Sequence, residues 1–164
     1  MATVSNSNLY HYQPGTPITS GACVVLVKTE WNSAIVDELE AGCRRILLEA
    51  GVSSIITLTV PGAVEIPFAV RQYHLKTTVN QADAFITLGC VIRGDTPHFD
   101  YVCQSVTAGV STLNLELPVP VIFGVLTVNN EQQALERIGG VHGHKGEEAA
   151  ITALKMIELN KSFQ

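Results

Sequence analysis

Apolar and polar positions follow two rhythms along this chain. ACVVLVK (22–28) is a nearly unbroken apolar run of strand length. The segment after it spaces Ile35, Leu39, Cys43, Ile46 and Ala50 three or four residues apart, the period of a helix with one buried face. Asn32 or Ser33 is placed to cap that helix, and Gly51 to end it. The alternation then repeats. VSSIITLTV (52–60) reads as a second strand closed by Pro61-Gly62, and AVEIPFAVRQYHLKT (63–77) as a helix with Pro67 near its start, where a missing N–H costs little. AFITLGCVI (84–92) is a third strand. The helix after Asp95-Thr96-Pro97 carries Phe99, Val102, Val106, Val110 and Leu113 on one face, with Thr96 suited to the N-cap and Pro97 to the first helical position. PVIFGVLTV (120–128) is a fourth strand, NEQQALERIG (130–139) a short helix, and Glu147 to about Lys161 a last one, with acids in its first turn as the helix dipole favours.

Strands that read as continuous apolar runs, alternating with helices, predict an α/β fold with a parallel sheet buried on both faces. The expected architecture is a three-layer α/β/α sandwich, flavodoxin-like, with a four-stranded parallel sheet. Residues 22–164 form the single domain. Residues 1–21, polar and without a period, read as an N-terminal arm. In such sheets ligands bind where the chain leaves the carboxyl ends of the strands. That rule selects Lys28 to Asn32, Val60 to Glu65, Cys90 to His98, and Thr127 to Asn130.

Composition narrows the function. A net charge of −5 with scattered Lys and Arg gives no basic field for a nucleic-acid backbone. The longest apolar run, PVPVIFGVLTV, is about half the roughly 20 residues a membrane helix needs. The first residues lack a charged start followed by an apolar core, so no secretory signal is visible and the cytoplasm is the expected location. Hydrophobic residues make up 46% of the chain and the mean hydropathy is +0.25, which points to apolar surface buried between subunits. The four cysteines form no C-x-x-C pair and read as small buried hydrophobes.

Three of these strand exits hold candidate chemistry beside a plain structural reading. His98, in the first turn after GDTP, is either an exposed first-turn residue or a proton-transfer group beside backbone N–H groups able to seat a phosphate. Glu65, in PGAVEIP, either accepts from a polyol hydroxyl or simply favours the helix dipole. Trp31, the only tryptophan, is either a plate for a flat ring or an interface residue. HGHKG (142–146) has His-x-His spacing, but it lies in a glycine-flanked loop without a carboxylate at ligand spacing, which speaks against a metal site.

PGAVEIP, GCVIRGDTPHFDYVC, PVIFGVLT followed by NEQQALERIGG, and GHKG opening the last helix occur in that order over residues 22–163, and together they resemble the lumazine synthases. The resemblance implies condensation of 5-amino-6-(D-ribitylamino)uracil with 3,4-dihydroxy-2-butanone 4-phosphate to 6,7-dimethyl-8-ribityllumazine, without cofactor or metal. It implies that Trp31 stacks on the pyrimidine, that Ala63, Val64 and Glu65 hold the ring and ribityl chain, and that Cys90, Val91 and Ile92 read the ring edge through main-chain groups. It implies further that Asp95 and Thr96 seat the phosphate, that His98 transfers protons, and that Phe123 and Arg137 reach in from a neighbouring subunit, with Lys145 nearby. The implied partners are the two small-molecule substrates and further copies of the chain, in pentamers or in a 60-subunit icosahedral shell. Two residues depart from the family pattern. Trp31 stands where Phe is more common, and Asp95 where many members have a small residue, so its side chain is expected to turn away from phosphate. A non-catalytic flavin-binding shell protein of the same fold would be expected to lack His98, Arg137 or Glu65, and all three are present.

Overall fold

A computed structural model describes residues 8–9 and 21–164. Apart from Asn8, Leu9 and Gly21, the expected N-terminal arm lies outside the described residues. The main elements follow the predicted order: β1 (Cys23–Thr29), α1 (Ser33–Glu49), β2 (Ser54–Val60), a single 3₁₀ turn (Ala63–Glu65), α2 (Ile66–Lys76), β3 (Ala84–Ile92), α3 (His98–Glu116), β4 (Val121–Val128), α4 (Glu131–Leu135), β5 (Ile138–Gly140), β6 (Gly143–His144) and α5 (Lys145–Lys161).

The four long strands pair in parallel, in the order β2-β1-β3-β4. The chain steps outward from β1 to β2, then returns across β1 to β3 and continues to β4. Right-handed crossovers that reverse direction along a sheet put their helices on opposite faces. Accordingly α1 lies on one face and α2 and α3 on the other. Val24, Leu26, Ile86, Leu88 and Ile122 point to the first face and pack with Leu39, Cys43 and Leu47 of α1 and Ala150, Leu154 and Ile157 of α5. Val25, Val27, Phe85, Val121 and Val125 point to the second, against Ile66 and Val70 of α2 and Val106, Val110 and Leu113 of α3. The three-layer sandwich is therefore as expected.

Differences from the sequence reading lie at the element ends. The helix expected over 130–139 stops at Leu135, and Ile138–Gly140 pairs antiparallel with Gly143–His144. Gly139 and Gly143 take φ of 112° and 74°, which glycine accepts without strain and a helix does not use. The HGHKG segment is thus part of a small hairpin rather than a loop, and α5 starts at Lys145, with His144 Nδ1 accepting from the Glu147 N–H at 3.4 Å. At α3, Pro97 rather than Thr96 occupies the cap position, with φ −62° and ψ −5°, and no side chain caps the helix. The Asp100 N–H bonds the Pro97 carbonyl at 2.9 Å, so the first turn winds tightly as an i to i+3 turn and starts one residue late.

A polar network fastens α1 to the β1 and β2 side of the sheet. Glu40 accepts from Lys28 Nζ at 2.7 Å, from Arg44 Nε at 2.8 Å and from Thr57 Oγ1 at 2.7 Å. Burial opposes ionisation of Glu40, but these hydrogen bonds outweigh it and bring its carboxyl down to about 2. A carboxyl lowered on folding contributes stability above its unfolded pKa and loses it as pH falls through the folded value. Glu40→Gln is therefore expected to cost about 1–2 kcal/mol near neutral pH, after allowance for solvent screening. The gap from the unsubstituted protein should narrow as pH is lowered from about 5 to about 3, in urea unfolding at matched protein concentration. A gap that stays constant over that range would show that the ionisation of Glu40 contributes nothing.

Candidate active site

β1 and β3 pair only as far as Lys28 opposite Leu88, whereas β3 pairs with β4 up to Ile92 opposite Val128. The last residues of β3 thus run past the end of β1, and one edge of Cys90–Ile92 faces a cleft instead of a strand. Gly89 sits where the two strands part, and a Cβ there would lie 3.2 Å from Cγ2 of buried Thr29. The cleft holds about 490 Å³ at the carboxyl ends of β1, β2 and β3. This is the point where the direction of strand connection reverses, and so the place where open α/β sheets bind ligands.

Three chain segments converge on it. From β1, the Glu30 and Trp31 N–H groups bond the Val60 and Pro61 carbonyls at 2.9 and 3.4 Å, tying the exit of β1 to that of β2. Trp31 is 73% exposed, an indole presented to solvent rather than to the core. Asn32 holds a left-handed backbone (φ 56°, ψ 43°), but its side chain does not cap α1. Its Nδ2 instead donates to the Cys90 carbonyl at 2.8 Å across the cleft, which fixes the approach of the first exit to the third. From β2 come Gly62, Ala63, Val64 and Glu65. A Cβ on Gly62 would meet Glu65 Oε2 at 3.2 Å and Trp31 Cδ1 at 3.5 Å, so the carboxylate and the indole both close on the space that this glycine leaves free. From β3 and α3 come Cys90, Val91, Ile92, His98 and Val102.

Eight expected site residues, Trp31, Ala63, Val64, Glu65, Cys90, Val91, Ile92 and His98, therefore line one cleft. Asp95 and Thr96 are exposed on the turn leading to His98 and are not among its lining residues. Phe123 and Arg137 lie elsewhere in the chain. Phe123 is 41% exposed on edge strand β4, in a separate hollow that it shares with Lys145 and Glu148. Arg137 is buried at the base of the β5–β6 hairpin, with Nη1 donating to the Gln133 carbonyl at 2.6 Å. Thr29, Asn32, Gly62 and Val102 also line the cleft, and the sequence does not single them out as binding residues. The Asn32 amide, one residue beyond the Trp31 plate, is the available signal, but in sequence it reads as a helix cap.

Glu65, Cys90 and His98 are the ionisable groups among the lining residues. Burial pushes the Cys90 thiol up to about 11, which keeps it protonated near neutrality and unsuited to nucleophilic attack. No Lys or Arg lines the cleft, so the described residues give it no cation for a phosphate. Nor do the described residues contain a group of three His, Cys, Asp or Glu side chains able to hold a metal ion. The cleft offers an aromatic plate, a backbone edge with polar groups, one carboxylate and one imidazole. Such a set suits a flat polar ring carrying hydroxyls, and chemistry carried by proton transfers.

Fold and cleft together define the class, a doubly wound α/β protein with a candidate small-molecule cleft at its switch point. A sequence model of 6,7-dimethyl-8-ribityllumazine synthase matches residues 21–161, and the chain belongs to that family. It is 47% identical over 164 residues to the 6,7-dimethyl-8-ribityllumazine synthase of Porphyromonas gingivalis, covering 98% of this chain and 99% of the relative. The enzyme of the same name from Cytophaga hutchinsonii is 44% identical over 155 residues, 93% and 96% of the two chains. That from Bdellovibrio bacteriovorus is 47% identical over 140 residues, 85% and 76%.

Proposed function

We propose that this protein is a transferase that condenses 5-amino-6-(D-ribitylamino)uracil with 3,4-dihydroxy-2-butanone 4-phosphate to 6,7-dimethyl-8-ribityllumazine, the penultimate step of riboflavin biosynthesis. The observation that carries the reading is the convergence of Trp31, Glu65, the Cys90–Ile92 edge and His98 on one cleft, in a chain of this family. The pyrimidine stacks on Trp31 and presents its amide edge to the main chain of Cys90–Ile92. Glu65 accepts from ribityl hydroxyls beside the Ala63 and Val64 backbone. The 5-amino group attacks the ketone, and water leaves to give an imine. Phosphate departs by elimination, the resulting enol takes a proton to become a ketone, and the ribitylamino nitrogen closes the ring with loss of a second water. His98, at the mouth of the cleft, relays the protons these steps release and consume. Asp95 and Thr96 seat the phosphate through the backbone of their turn. Much of the acceleration comes from holding two reactants in contact.

The lack of a cation in the cleft, with Phe123 and Arg137 placed away from it, supports a shared site in which a neighbouring subunit supplies both residues. Exposed apolar side chains, among them Phe68, Leu115 and Val141 at 70%, 89% and 83%, support self-association. The assembly we propose is a pentamer, with closure of twelve pentamers into a shell as its larger form, located in the cytoplasm. No helix among the described residues is long and apolar enough to cross a membrane.

The test is to mix both substrates with purified protein and follow lumazine absorbance and phosphate release. Acceleration over the spontaneous reaction, with phosphate and lumazine formed in equal amounts, supports the reading, and an unchanged rate overturns it. Sedimentation of the same sample decides assembly, since an active monomer would rule out the shared site.

A further inference from the structure

We propose that Arg93 is a positioning residue for His98, acting through the first turn of α3. The inference rests on the proton-transfer role given to His98 above, and starts from how little else holds that side chain. Catalytic imidazoles are commonly oriented by a third group bonded to the ring. His98 is exposed and makes no side-chain hydrogen bond to any described residue. Nor is α3 capped by a side chain. The point and direction from which the imidazole leaves the chain are therefore set by the backbone of residues 97–100, and whatever fixes that backbone fixes where the ring can reach.

Arg93 is the group that fixes it. Its own N–H bonds the Val128 carbonyl at 2.9 Å, anchoring it where β3 and β4 leave the sheet. Its guanidinium lies over the Phe99 ring, 4.1 Å from the centroid. Nη2 and Nη1 donate to the two Asp100 oxygens at 2.8 and 3.4 Å, and Nε donates to Asn129 Oδ1 at 3.3 Å. One planar cation thus holds the two residues that follow His98 and ties both to the end of the sheet. The Asp100 N–H to Pro97 carbonyl bond closes the same turn from the other side, so His98 is bracketed. Lysine cannot reproduce this, because a single ammonium offers neither the flat face nor the fork of parallel donors. The ion pair is also solvent-exposed, with Arg93 and Asp100 side chains 42% and 49% accessible. Pairs of that kind add little to global stability, so an effect on His98 is separable from an effect on folding.

The experiment compares Arg93→Met, Arg93→Lys, His98→Ala and the double variant Arg93→Met/His98→Ala in the assembled protein. Arg93→Met is expected to lower kcat roughly three- to tenfold while KM for each substrate stays within about twofold, and Arg93→Lys to recover only part of the loss. In the His98→Ala background Arg93→Met should cost nothing further, because the residue it positions is gone. Amide hydrogen exchange over residues 98–101 should speed up severalfold in Arg93→Met and stay unchanged in β1 and β3. A loss that multiplies fully in the His98→Ala background, or unaltered exchange at 98–101, overturns the proposal. If the unsubstituted protein makes no lumazine, the functional reading fails on its own, and the exchange measurement still decides whether Arg93 holds the turn.

Discussion

Replacing Gly146 with alanine is expected to lower stability by about 3 kcal/mol or more, a large effect for the addition of one methyl group. Gly146 is buried in the first turn of α5, where that helix crosses α1. A Cβ there would land on the carbonyl oxygen of Leu39 and lie 2.8 Å from its carbonyl carbon. The obstacle is backbone in the middle of a helix, so no rotamer change relieves it and the two helices must separate. Separation would open the layer in which Leu39, Cys43 and Leu47 meet Ala150, Leu154 and Ile157. It would also loosen the Arg45–Glu147 ion pair between the same helices. Chemical denaturation at matched protein concentration reads the effect, because assembly adds to apparent stability. Gly94→Ala is the control. A Cβ at Gly94 meets nothing within 4 Å, and the change should stay within about 0.5 kcal/mol of the unsubstituted protein. If Gly146→Ala behaved like that control, the close approach of α1 and α5 would be wrong.

Trp31→Ala is expected to raise KM for the pyrimidine substrate by roughly 10- to 100-fold, the worth of about 1–3 kcal/mol of stacking on a flat heterocycle. Stability should hardly change, since the side chain is 73% exposed and packs into no core. Trp31→Phe retains a plate of smaller area and should stay within about fivefold in KM. Because Trp31 is the only tryptophan, quenching of its fluorescence on ligand addition reports the contact directly in the unsubstituted protein. A KM moved less than twofold by Trp31→Ala, or fluorescence indifferent to the pyrimidine, would remove Trp31 from the site and leave it as an exposed surface residue.

Much of this molecule is legible before folding, and the reasons are local. Continuous apolar runs at 22–28, 84–92 and 120–128, short and bounded by turn residues, read as strands of a covered sheet, and the three-to-four spacing from Ile35 to Ala50 reads as one face of a helix. The exits of such strands are fixed once the strands are, and with them the neighbourhoods of Trp31, Glu65, Cys90–Ile92 and His98. The misreadings fall where one residue type serves several local ends. Asn32 could cap α1 or reach elsewhere, and a carbonyl 58 positions away decided it. Gly139 could close a helix or turn a hairpin, and its positive φ was settled by pairing with Gly143–His144. Thr96 and Pro97 had the residue types of a cap and a first turn, but the tight turn begun at Pro97 left Thr96 outside.

By itself, then, the amino-acid sequence determined the types of the main elements, the three-layer class, the family motifs and which strand exits hold candidate residues, because all of these depend on periodicity and nearest neighbours along the chain. Tertiary structure alone decided that β1 ends short of β3, which opens the cleft, and that Arg93 rather than a capping side chain holds the turn of His98. It also places Arg137 and Phe123 away from the cleft of the same chain. Each of these depends on strand order and on contacts between distant residues, and the chain carries no local record of either.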